Sequence, residues 1–98
     1  MSNKIPIGTP DSEILGEIGR RLKALRKSRR MSQSQAAQLS GISRRTLYNA
    51  EHGENPGLLT LIRLLRTYGR LGGIDDFIPV PEISPIEVIE ESDRRRRG

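Results

Sequence analysis

The chain contains no cysteine, no tryptophan and a single histidine, His52. Without thiols there is neither a disulfide nor a thiolate metal site, and one imidazole cannot assemble a zinc centre, so no metal or cofactor is expected. Aromatic residues make up only 3% of the sequence, namely Tyr48, Tyr68 and Phe77. The aromatic platform on which single-stranded RNA stacks is therefore missing as well. No apolar run approaches the roughly 20 residues that cross a bilayer. Residues 1–10 also lack the hydrophobic stretch of a signal peptide, so a cytoplasmic protein without membrane contact is expected. Catalysis is not expected: no phosphate-cradling glycine motif is present, and no nucleophile is paired with a base.

Ninety-eight residues support one core plus tails. With 34% hydrophobic residues, mostly aliphatic, the composition suits an all-α domain with a core of Leu, Ile and Ala. The net charge of +5 is unevenly spread. From Glu13 to Glu51 there are nine arginines or lysines against three glutamates, whereas Asp75 to Asp93 holds seven acidic residues and no basic one. A basic body of this kind suits an anionic partner that offers phosphates. The chain closes on an arginine knot, residues 94–97, for which a solvated surface is an equally good reading.

Residues 1–12, with Pro6, Gly8 and Pro10, read as a flexible arm. Ile14, Ile18, Leu22 and Leu25 then form one stripe of a helix predicted over 13–30, with Asp11 or Ser12 as its N-cap. Ser32-Gln33-Ser34-Gln35 has the form of a capping box, which starts a second helix over 33–40. Gly41 ends it in a left-handed turn, and Ile42 packs back behind the turn. Ser43 caps a third helix that runs to about His52, and a fourth over 58–68 carries Leu58, Leu61, Ile62 and Leu65 on one face. A short apolar turn follows over 74–78. Ser84-Pro85-Ile86-Glu87 then opens either a short helix or a strand over 86–91, and the residues favour neither.

Two short helices joined by a tight glycine turn, behind a basic helix, predict a helix-turn-helix unit. Ala36, Ala37 and Leu39 let the two helices approach, while Ile42 and Leu47 fill the angle between them. Arg44, Arg45, Tyr48 and Asn49 are left pointing outward as a row of hydrogen-bonding groups, and the major groove of duplex DNA admits one such helix.

Residues 31–53, MSQSQAAQLSGISRRTLYNAEHG, resemble the motif of the XRE family, which includes Cro and the lambda-type phage repressors. The resemblance extends over about 13–78. It implies a five-helix, lambda-repressor-like all-α domain that binds double-stranded DNA as a transcriptional regulator, typically a dimeric repressor on a palindromic operator. Carried over by position, it assigns base contacts to Arg44, Arg45 and Asn49, on a face that also bears Tyr48. Backbone contacts fall to Gln33, Ser43, Thr46 and Asn55. The sequence departs from the family pattern at Tyr48, bulkier than usual on that face, and at Gly57, where a capping Ser or Thr is common.

The remaining tail, 79–98, is acidic and then arginine-rich. Ile78 to Pro85 is similar to the endings of HipB-type antitoxins, which implies autoregulation and a HipA-type kinase toxin as partner. Leu71, Ile74, Phe77 and Ile78 follow a four-helix core that is already complete, and are expected to form a homodimer seam. A protein-interaction adaptor that does not bind DNA is the competing class, since a fold alone does not establish function.

Overall fold

A computed structural model describes residues 5–82 and is all-helical, with no strand among the described residues. Helices α1 (Asp11–Ser28), α2 (Gln33–Ser40), α3 (Arg44–Glu51) and α4 (Leu58–Thr67) are followed by a 3-10 turn, Leu71–Gly73, and a one-turn helix α5 (Ile74–Phe77). The helix or strand expected over 86–91 and the arginine knot at 94–97 lie outside the described residues.

The first helix starts two residues earlier than its apolar stripe suggests. Pro10 occupies the N-cap and its carbonyl accepts from Glu13 and Ile14, so Asp11 lies inside the helix and neither Asp11 nor Ser12 caps it. The acidic Asp11 and Glu13 suit the positive end of the helix dipole instead. At the other end the chain leaves the helix at Arg29, and Arg30 adopts a left-handed φ of 56°. Met31 N–H is thereby returned to the carbonyl of Arg26.

The next two helices follow their local signals. Both halves of the capping box form: Ser32 Oγ accepts from Gln35 N–H, and Gln35 Oε1 accepts from Ser32 N–H. Gly41 turns the chain with φ 68° and ψ 31°, a conformation in which a Cβ would crowd the following carbonyl. Ile42 N–H then reaches the carbonyl of Ala37, which completes the turn between α2 and α3.

Leu22, Ala36, Ala37, Leu47, Ala50, Leu64 and Tyr68 form the buried core, with Ile18, Leu25, Met31, Ile42 and Leu61 packed around it. Two expected packing residues lie elsewhere. Leu39 is 66% exposed, because Ser40 takes the inward position and its hydroxyl bonds that of Thr67 on α4 at 2.7 Å. Leu58 is also 66% exposed. The inward row of α4 is Leu61, Leu64 and Tyr68, one turn apart, and the helix ends at Thr67 with Tyr68 as its C-cap. Gly19 sets how closely α1 meets α3, since a Cβ there would fall 2.7 Å from the carbonyl oxygens of both Ala50 and Glu51.

The Tyr68 hydroxyl is buried and has no hydrogen-bond partner among the described residues. Burial, reinforced by the negative charge of Glu51, pushes its pKa from 10.0 up to about 12. The folded state therefore holds this proton more tightly than the unfolded chain does. Stability from this group is complete below pH 10.0 and is lost as pH rises towards about 12. Tyr68→Phe removes an unsatisfied group and should raise stability at neutral pH by about 1 kcal/mol. Urea unfolding at several pH values should show that advantage growing above pH 10, and identical alkaline losses in both proteins would refute the assignment.

Candidate nucleic-acid interface

Helix α3 is fixed from both ends. At its start Ser43 Oγ accepts from Thr46 N–H at 2.9 Å, and the two hydroxyl oxygens lie 2.7 Å apart. At its end the Glu51 carboxylate is buried against Arg26 of α1. Arg26 Nε and Nη2 donate to its two oxygens at 2.7 and 3.1 Å, and Nη1 donates to the carbonyl of Met31 at 2.9 Å. The bond to Glu51 raises the Arg26 pKa further above its already high value. One guanidinium thus ties α1, the residue before the α2 cap and the end of α3 together. Nothing local in the sequence singles out this pair. Its signal was a charge, Arg26, four residues beyond Leu22 on the stripe that otherwise faces the core.

With Leu47, Ala50 and Glu51 facing inward, the opposite face of α3 is presented to solvent. Arg44, Arg45, Tyr48 and His52 are exposed, while Thr46 and Asn49 are half-buried. The arginines occupy the first two positions of the helix, next to its positive dipole end. A cation there is unfavourable by roughly 0.3–1 kcal/mol, and among the described residues neither arginine has a carboxylate partner. Helix stability does not explain this placement, whereas an anionic partner does.

Part of the remaining positive charge is already engaged. Glu17 holds Arg20 at 3.0 Å and Arg21 at 2.9 Å, and these bonds, that of Arg21 first, lower its own pKa. Arg29 Nε donates to the carbonyl of Tyr68, and Arg63 donates to that of Gly41. The excess of basic residues in the body therefore overstates what is available to phosphates, since Arg20, Arg21 and Arg26 are paired with carboxylates; the two arginines of α3 stand outside those pairs.

The other expected contact residues are placed less uniformly. Gln33 stands at the start of α2, half-buried, with Nε2 donating to Glu51 Oε1 at 3.3 Å. Its second amide hydrogen is left over by that geometry. Asn55 Oδ1 accepts from Gly57 N–H at 3.2 Å, so this side chain shapes the loop before α4, where Gly57 stands as an N-cap with no side-chain bond. Among the described residues no group of acidic, histidine or cysteine side chains could hold a metal ion, and no helix is long and apolar enough to cross a membrane.

A capped α2, a left-handed glycine turn and a capped α3 with its outer face free, set against a longer helix, define a helix-turn-helix DNA-binding domain. The helix-turn-helix family profile matches residues 22–71, half of the chain, and the chain belongs to that family, in its XRE branch. It is a DNA-binding transcriptional regulator of the XRE kind. No curated protein matches the sequence.

Proposed function

We propose that this regulator is a repressor that binds a near-palindromic operator as a symmetric dimer. The observation that carries the reading is the pair Arg44 and Arg45, without a carboxylate partner among the described residues, at the start of α3, where the N-terminal residues of such a helix reach base edges. Arg44, Arg45, Tyr48 and Asn49 read bases, with Arg suited to guanine O6 and N7 and Asn to adenine. Gln33, Ser43 and Thr46 contact the backbone. Asn55 does so only alongside its turn with Gly57.

A single α3 touches too few base pairs for useful specificity, which favours two copies with half-sites about one helical turn apart. Leu71, Phe77 and Ile78 are 36%, 68% and 62% exposed, and Ile74 is half-buried beside them, which supports a seam between copies at α5. The exposed Val80 extends this apolar strip towards the tail. That extension supports the second reading, in which the same regulator is a HipB-type antitoxin whose tail binds a HipA-type kinase.

Phe77→Asp places a charge at the seam without disturbing the buried core. Sedimentation should find the wild-type chain dimeric and this variant monomeric, with operator affinity greatly reduced. A wild-type monomer in the presence of operator DNA contradicts the symmetric arrangement. A mobility-shift titration over a salt series tests DNA binding itself: affinity should fall steeply as salt rises, and no shift at any salt would favour the adaptor reading.

A further inference from the structure

Tyr48 is the bulkiest group on the outer face of α3 and is 45% exposed. Its ring lies on the imidazole of His52, one turn further along, with centroids 3.8 Å apart and planes 19° from parallel. Nδ1 of His52 is 2.7 Å from the Tyr48 carbonyl oxygen. A carbonyl only accepts, so Nδ1 is the donor, and the imidazole is tied to the backbone of the residue whose ring it covers. Neither side chain belongs to the core, and the stack therefore contributes little to what holds the helices together.

An exposed tyrosine on a helix samples more than one staggered rotamer, and those states are lost when it enters a contact. The imidazole selects one of them before any partner arrives. We infer that His52 is a positioning residue that presents Tyr48, preordered, to the base edges of duplex DNA, which makes the stacked pair a determinant of sequence preference. This rests on α3 being the base-reading helix. A tyrosine already held in its bound rotamer loses less freedom on binding, and that gain appears only on the sequence whose base pair the ring fits.

The full chain is titrated against duplexes that each change one base pair of its selected site, as wild type, Tyr48→Ala, His52→Ala and His52→Phe. Tyr48→Ala should flatten the preference at one base pair. His52→Ala should weaken discrimination at that same pair by about three- to tenfold, the cost of ordering one side chain, with the other positions unchanged. His52→Phe keeps a ring under the tyrosine and should restore it. Thermal melts should coincide for all four proteins.

Full discrimination in His52→Ala, an even loss over every duplex, or failure of the phenylalanine variant to rescue would each overturn the positioning role while leaving base reading by α3 intact. No change of preference in Tyr48→Ala would overturn it by removing the residue to be positioned. A wild type without any preference would instead refute the underlying reading.

Discussion

Replacing Arg26 by Met should lower the stability of the domain by about 3–5 kcal/mol, while the double variant Arg26→Met, Glu51→Leu should recover most of the loss. The side chains of Arg26 and Glu51 are 9% and 0% exposed. Without the guanidinium, the carboxylate is left buried with Gln33 as its remaining hydrogen-bond partner among the described residues, and its lost hydration is no longer offset. Two apolar side chains of similar volume need no such compensation. A cost of this size is a large part of what a small domain has, so Arg26→Met is expected to be mostly unfolded near body temperature. Chemical unfolding followed by helical circular dichroism measures both proteins. A loss below about 1 kcal/mol in the single variant, or a double variant no better than the single, would show that the pair does not hold α1 against α3.

The second large effect falls on binding. Arg44→Ala and Arg45→Ala should each weaken binding to the selected operator by about 1–3 kcal/mol and relax the preference at the base pair each one reads. Their folds should be unchanged or slightly more stable, since each substitution removes a cation from the positive end of a helix. That opposite movement of stability and affinity marks a residue retained for its partner. Losses of equal size on operator and random duplex would assign the arginines to phosphates.

The local chemistry of the fold was legible where one residue decides the conformation. Ser32 with Gln35, Gly41 and Ser43 act within a few residues, and α2 and α3 form between those signals. Legibility failed where the partner is distant in sequence. Arg26 reads as one more basic charge of the body because nothing near it shows that Glu51 will meet it. Leu39 and Leu58 read as packing residues because apolar periodicity cannot tell which of two neighbouring rows a second helix will cover. Similarly, the pairing of Arg20 and Arg21 with Glu17 reduces a basic surface that a charge count inflates. The outward row of α3 was readable, since the buried Leu47 and Ala50 fix its opposite face. The stack of Tyr48 on His52 was present only as a spacing of four.

Selection of bound sequences from random duplexes, run in parallel with the wild-type chain and the Arg44→Ala, Arg45→Ala double variant, tests most directly whether α3 reads base sequence. The wild type should enrich a near-palindrome with half-sites about one helical turn apart, and the variant should lose that motif while keeping weak, salt-sensitive binding. No enrichment by the wild type, or the same motif enriched by both proteins, would contradict sequence reading by the exposed arginines of α3.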